Sequence, residues 1–487
     1  MDQPRRRDFR HTKIICTLGP ASRELETLRA LATAGMNIAR LNMSHGDHSS
    51  HEDLITKIKQ LNTELNHPIA LLLDTQGPEI RTGDVQTGLE LQVGEMVTLT
   101  VSPDDDPEEK SVHVNYKDLV NDLKVGDRIT VDNGLINLEV LEARGQQLRC
   151  RVLDGGRVGS RRHVNLPGIR VNLPSITDKD RADIEFGLGH GVDFLALSFV
   201  RSRHDVLEAR GIVERAGATT RVFAKIENQE GIDHFDEILE AADGIMVARG
   251  DLGVEVELRE LPVYQRRMVR ACVIAGKPVI VATHLLESMI LNPMPTRAEV
   301  TDVANAVYEQ ADAIMLSGET GAGRHPVRCV QVLDDIARRI EKEPPLAFYN
   351  ERLSASAREE LARSACRLAD SLDAPAIVLV TRSGKLAQAV AAYRPRAAII
   401  YAFTPEVGVQ RKLWMVRSVV PFVTELHSDP EQTVQQALQR LRDRNRLLGG
   451  DQVVIVSDIM ASQDRVTTIQ VRHFDPGDQV SLPSRPG

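Results

Sequence analysis

The sequence contains no apolar run of about 18 residues, the length a membrane-spanning helix requires, so no segment is expected to cross a bilayer. Its start, MDQPRRRDFRHTK, is basic but has no apolar stretch of the kind a secretory signal needs. Positive charge is not in excess. The 60 Lys and Arg are outnumbered by 69 Asp and Glu, giving a net charge of -9 and a pI near 5.9, which argues against a general nucleic-acid binder. The five cysteines, Cys16, Cys150, Cys272, Cys329 and Cys366, are odd in number and form no CxxC or Cys/His cluster. Buried free thiols in a reducing cytoplasm are the expectation. There is no convincing short-period repeat, no low-complexity tract beyond the acidic turn PDDDPEE, and no GxxxxGK[ST] phosphate loop. What remains is a chain of 487 residues, 42% hydrophobic and 26% charged. This is a globular composition at a length that implies two to four domains.

Eight short apolar runs alternate with amphipathic stretches: Thr12–Gly19, Met36–Met43, Ile69–Gln76, Phe194–Val200, Arg221–Glu227, Gly244–Asp251, Pro278–Thr283 and Ala313–Glu319. Near-continuous apolar strands alternating with helices predict an α/β fold, a (β/α)8 barrel formed by residues 1–81 and 174–345. Between the third and fourth strands the rhythm breaks. Residues 82–173 show short alternating segments rich in Val with Gly, Asp and Asn turns, the pattern of an all-β insert. It sits in a βα loop on the C-terminal face of the barrel and so is positioned as a lid. EKEPP reads as a linker, and residues 346–487 alternate helix and strand as a small α/β domain.

The active site of such a barrel lies at the C-terminal ends of its strands. Those ends carry Arg40, Asn42, Ser44, Asp74, Thr75, Lys225, Glu227, Arg249, Asp251, Thr283, Ser317 and Glu319. So many polar groups on one face would each have to lose water for packing alone, which favours a functional cleft. Glu227 and Asp251 end consecutive strands about 5 Å apart and could share one hard divalent cation, with waters and substrate phosphate completing its shell. Lys225 lies on the same strand face as Glu227, about 7 Å along the chain. It would face an anionic substrate; the competing reading is an ion pair with a neighbouring carboxylate. Asn42, Ser44, Asp74 and Thr75 form a second oxygen cluster, suited to Na⁺ or K⁺ or, alternatively, to a hydrogen-bonded loop network. ARGDLG and SGETGAGRHP supply Gly-rich turns that either admit a phosphate or are plain turns.

Seven segments, TKIICTLGPAS, GMNIARLNMSHG, DTQGPEIRTG, LPSITDKD, AKIENQEG, ARGDLGVE and SGETGAG, together resemble the pyruvate kinase family in order and spacing. The resemblance covers roughly Thr12 to Phe474. It implies phosphate transfer from phosphoenolpyruvate to ADP, giving pyruvate and ATP, in a cytoplasmic homotetramer that binds neither nucleic acid nor membrane. It implies Mg²⁺ (or Mn²⁺) at Glu227 and Asp251, and K⁺ at Asn42, Ser44, Asp74 and Thr75, the last through its carbonyl. Substrate contacts fall on Arg40, Lys225, Gly250, Asp251 and Thr283. Of these, Lys225 meets the transferring phosphoryl group and Thr283 lies near the carbon that is protonated. His45, Arg81 and Lys179 match the nucleotide side. VTRSGKLAQAVAAYRPRA resembles an effector phosphate loop, with Thr381, Ser383, Gly384 and Lys385 as contacts for a phosphorylated allosteric effector.

Three positions and one segment depart from the family pattern or refine it. Gln76 stands where many members have lysine, and His284 follows Thr283 in place of a common glutamine. VSDIMASQDRVTTIQV lacks the Gly-rich loop of members that respond to fructose-1,6-bisphosphate. Glu79 occupies the position where members that work without K⁺ typically carry lysine, so K⁺ dependence is expected. Two rival classes fit less well. A Mg²⁺-dependent barrel lyase or aldolase would leave the insert and the second oxygen cluster unexplained. A non-catalytic metabolite sensor would be expected to have lost Lys225, Glu227 or Asp251, and all three are present.

Overall fold

The computed structural model describes residues 10–85, 89–102, 110–132, 134–169, 171–461 and 464–473. The basic N-terminal residues, the PDDDPEE turn and the tip of VSDIMASQDRVTTIQV lie outside the described residues. The eight apolar runs form β1 (Lys13–Thr17), β2 (Ile38–Asn42), β3 (Ala70–Asp74), β4 (Phe194–Leu197), β5 (Arg221–Ile226), β6 (Gly244–Ala248), β7 (Val279–Ala282) and β8 (Ala313–Leu316). They close into a parallel barrel in sequence order, with β1 pairing β8. The strands are largely apolar because both faces are buried, with polar residues mainly at their ends. Ile15, Ile38, Leu72, Phe194, Phe223, Met246, Ile280 and Met315 fill the interior. Their neighbours Ile14, Leu41, Leu73, Leu195, Val222, Val247, Val281 and Ile314 pack under the surrounding helices.

The insert emerges between β3 and the helix Asp178–Gly189, as expected for a lid. It is a six-stranded sheet in the order Val164–Asn165, Arg128–Val131, Ile136–Arg144, Gln147–Asp154, Met96–Thr100, Ser111–His113, with a two-stranded ribbon beside it. The C-terminal domain is a five-stranded sheet, in the order Val419–Val423, Ile399–Thr404, Ala376–Val380, Gln452–Ala461, Asp464–His473. Its edge strand Val419–Val423 contains Pro421, which cannot donate to a ladder. An edge position tolerates it.

The C-terminal domain seats on the N-terminal end of the barrel through buried charge. Arg394 donates two hydrogen bonds to Asp312, at 2.8 and 2.6 Å. The Arg417 backbone donates to the same carboxylate at 3.0 Å. Lys13 Nζ donates to the Val419 carbonyl at 2.6 Å, and burial pushes its ammonium down to about 7. EKEPP is not a free linker. The Glu341 side chain is nearly inaccessible and accepts from the backbone N–H groups of His11 (2.8 Å) and Thr12 (2.7 Å).

Candidate functional site

Strand β5 ends in Lys225 and Ile226 and passes into Glu227. Lys225 Nζ lies 2.9 Å from Glu227 Oε1 and 3.0 Å from Asp74 Oδ1, and it donates to Ser198 Oγ at 2.7 Å. Burial alone would lower the Lys225 ammonium; Asp74 and Glu227 hold it above the ordinary lysine range instead. The ion-pair reading of Lys225 therefore describes this geometry, with two carboxylates rather than one. Arg40, one strand away, donates Nε to Asp74 Oδ2 at 2.6 Å and Nη1 to Thr17 Oγ1 at 2.8 Å. Burial works to raise the Asp74 carboxyl, but Arg40 and Lys225 hold it below the usual carboxylate range.

Glu227 differs from Asp74. Its Oε2 accepts from the Phe199 N–H at 2.7 Å. Burial pushes its carboxyl up, and Asp251 pushes it further against the pull of Lys225. The pair thus holds more negative charge than Lys225 cancels, which fits a hard cation. Among the described residues no group of three or more His, Cys, Asp and Glu is arranged to hold a metal. A cation here would draw its remaining ligands from water and substrate. Asp251 is not at a strand end. β6 stops at Ala248, and Asp251 lies in the first turn of the short helix Arg249–Glu255. Arg249 turns away from the cleft and donates to Asp302 (2.6 Å) and to the carbonyls of Ala282 (3.1 Å) and Thr283 (2.5 Å).

Thr283 and His284 follow β7 with φ of 64° and 55°, a left-handed conformation that non-glycine residues rarely adopt. The turn aims Thr283 Oγ1 at Gly250, whose N–H donates to it at 2.7 Å. That Gly250 donor is thereby committed within the protein. A Cβ on Gly250 would meet Thr283 and His284 only at 3.5 Å, an ordinary contact, so these neighbours do not require glycine there.

The second oxygen cluster comes together across β2 and β3, where Asn42 pairs in register with Asp74. Asn42 Oδ1 accepts from the Ser44 N–H at 3.3 Å. The Thr75 carbonyl accepts from Ser198 Oγ at 2.6 Å and, having two lone pairs, can serve one more partner. Ser198 links both clusters and was absent from the expected residues, although it follows β4 as the first polar residue of FLALSFV. The nucleotide-side candidates are more dispersed. Lys179 Nζ donates to the Met43 carbonyl (2.7 Å) and Asp183 (2.6 Å), and His45 is exposed. Arg81 stands at the lid base, donating to Glu79 Oε2 at 2.7 Å and to the Arg161 carbonyl at 2.8 Å. Burial would raise the Glu79 carboxyl, but His163 and Arg81 hold it down at about 2.

The Gly-rich turn after β8 is a packing device. A Cβ on Gly19 would stand 2.6 Å from the Gly321 carbonyl oxygen. Thr320 donates to the Thr17 carbonyl at 2.9 Å, and the buried Glu319 accepts from the backbone of Ser317 (2.6 Å) and Leu286 (3.1 Å). A cleft of about 310 Å³ opens at the lid base, lined by Glu79, His163, Asn165, Phe199, Asn228 and Glu255 among others. It adjoins the Lys225 cluster through Phe199 without containing it. In the C-terminal domain, Gly384 takes φ 79° before the helix Lys385–Ala392, and its N–H donates to Thr381 Oγ1 at 3.0 Å. Thr381 lines a pocket of about 120 Å³ with Arg382, His427, Thr433 and Ser457. Ser383 and Lys385 are exposed beside it.

Comparison with known proteins bears directly on this arrangement. The family model for the pyruvate kinase barrel domain matches residues 9–330, and that for the pyruvate kinase alpha/beta domain matches residues 359–471. A pyruvate kinase of Bacillus licheniformis is 42% identical over 481 residues, 97% of this chain and 82% of the relative. One of Geobacillus stearothermophilus is 43% identical over 472 residues, covering 95% and 80%. Plastidial pyruvate kinase 3 of Arabidopsis thaliana is 42% identical over 475 residues, covering 96% and 83%. With both family models in chain order and identity sustained over nearly its full length, the chain belongs to the pyruvate kinase family, whose members are phosphotransferases.

Proposed function

We propose that this protein transfers the phosphoryl group of phosphoenolpyruvate to ADP in the last step of glycolysis. The P–O bond to the enol oxygen breaks, a P–O bond to the β-phosphate of ADP forms, and the enolate takes up one proton to give pyruvate. The observation that carries this reading is the Lys225 ammonium, held charged by Asp74 and Glu227 at the mouth of the barrel. Phosphoryl transfer asks the protein for positioning and charge neutralisation rather than covalent chemistry. Lys225 and Arg40 supply cationic donors for the phosphate and the developing enolate. Thr283, fixed by its left-handed turn and held by the Gly250 N–H, is assigned to the side of the cleft where the enolate carbon is protonated. Glu227 and Asp251 are the residues that would hold Mg²⁺ or Mn²⁺, which when bound neutralises phosphoryl charge. Asn42, Ser44, Asp74 and the Thr75 carbonyl are the hard oxygen donors for K⁺. His45, Arg81 and Lys179 are assigned to the nucleotide phosphates.

The reading extends to a cytoplasmic homotetramer regulated by a phosphorylated effector. The pocket around Thr381 supports this last element, since Ser457 Oγ is buried there without a hydrogen-bond partner. The domains are taken as 1–81 with 174–345, 82–173, and 346–487. Pyruvate formation in a coupled assay with phosphoenolpyruvate, ADP, Mg²⁺ and K⁺ tests the whole. Turnover that needs all four is expected, and folded protein forming no pyruvate would overturn the assignment.

A further inference from the structure

The helix Arg249–Glu255 touches the catalytic cleft at one end and the lid at the other. At its far end Glu255 Oε1 accepts from Asn165 Nδ2 at 2.9 Å, across the gap between barrel and lid. Asn165 is buried and moves with the lid, because it pairs with Thr130 in the ladder between Val164–Asn165 and Arg128–Val131. Glu255 moves with the helix and lies four residues, about one turn, beyond Asp251. The preceding residue, Val254, faces the lid as well: a Cβ added at Gly134 would stand 3.9 Å from its side chain. The near end of the helix is held by Gly250 on Thr283 Oγ1 and by Arg249 on Asp302. A helix of seven residues gripped at both ends transmits displacement rather than absorbing it. Burial pushes the Glu255 carboxyl up, and the Asn165 amide works against that push.

We propose that Asn165 and Glu255 form a latch through which the closed lid sets the position of Asp251, with Glu255 acting as a positioning residue. The latch rests on the reading of Asp251 as a metal ligand, so both must be tested together. In the full-length protein, Glu255→Ala and Asn165→Ala are each expected to lower kcat about tenfold, the loss of one hydrogen bond to a charged group, with the KM for phosphoenolpyruvate less affected. Mn²⁺ affinity, measured by electron paramagnetic resonance without turnover, should weaken in parallel. The double variant should be no worse than either single one. Glu255→Gln, whose amide oxygen accepts the same bond, should restore kcat to within about twofold. Asp251→Asn separates the two failures. If it binds Mn²⁺ like the parent, the metal reading falls and the latch with it. If it loses Mn²⁺ while Asn165→Ala and Glu255→Ala keep parental kcat and Mn²⁺ affinity, the latch alone is refuted. Additive losses in the double variant, or Glu255→Gln as impaired as Glu255→Ala, would also overturn it.

Discussion

Replacing Lys225 with Met removes the charge while keeping much of the side-chain length, and the structure gives the consequence two parts. The first is catalytic. Loss of a preorganised cation at the point where charge develops commonly lowers the rate on the order of 10²–10³-fold. The second is stability. Lys225 lies 3.0 Å from Asp74 and 2.9 Å from Glu227, both essentially inaccessible to solvent. Breaking a buried pair costs roughly 3–5 kcal/mol. Asp74 keeps Arg40 at 2.6 Å, so the lower figure applies, about 3 kcal/mol, or about 6–12 °C in Tm at this domain size. The stability loss is also pH-dependent. The folded state holds the Glu227 proton more tightly than the unfolded chain does, so acid favours folding through this group as pH falls through its raised pKa towards the ordinary carboxylate range. Without Lys225 that preference grows. The Tm deficit of Lys225→Met should therefore narrow near about pH 5.5 and widen towards about pH 8. Coupled-assay kinetics and thermal unfolding by circular dichroism across that range test both parts. A folded variant with near-parental kcat would refute the catalytic role, and a deficit flat with pH would refute the charge accounting at Glu227.

Ser198→Ala should lower kcat about tenfold, since its hydroxyl accepts from Lys225 and donates to the Thr75 carbonyl; unchanged steady-state kinetics would remove it from the site. Glu79→Lys should reduce the dependence on K⁺ while leaving the Mg²⁺ requirement in place. Because Glu79 also holds Arg81 and lies 3.2 Å from His163, the quantity to compare is the ratio of activity in K⁺ to that in Na⁺, not absolute activity, and an unaltered ratio counts against the second cation site. Sugar monophosphates, fructose-1,6-bisphosphate and AMP should be titrated against the apparent affinity for phosphoenolpyruvate. At least one is expected to shift it, and Lys385→Ala should abolish that shift; no shift with any of them would sink the effector assignment.

The eight barrel strands were legible because burial on both faces makes each a short, mostly apolar run, and the insert because its period changes to two. Where a local rule conflicted with tertiary placement, the sequence left the outcome open or gave no sign of it. Pro421 argues against a strand, yet an edge position accommodates it. Gly318, Gly321 and Gly323 suggest a phosphate turn, yet at least Gly321 lies against Gly19 for backbone packing. Arg249 sits between a strand and Asp251 like a site residue, yet its guanidinium supports the Thr283 carbonyl from behind. Ser198 and the Asn165–Glu255 contact were out of reach for another reason. A serine after a strand is ordinary in type, and a hydrogen bond between residues 90 apart has no local signature.

The charged seat between barrel and C-terminal domain bears on modularity. The two domains match separate family models, which invites exchanging or deleting the second. Deleting it would strip Asp312 of Arg394 and the Arg417 N–H and leave Glu341 without Arg417, charges that are nearly sealed from water here. Each severed buried pair is worth roughly 3–5 kcal/mol, comparable to the 5–15 kcal/mol that holds a typical domain folded. A chimaera would have to carry Arg394, Arg417 and the Lys13–Val419 contact along with the graft. The exchangeable unit is thus larger than the domain, and its true boundary runs through the barrel floor.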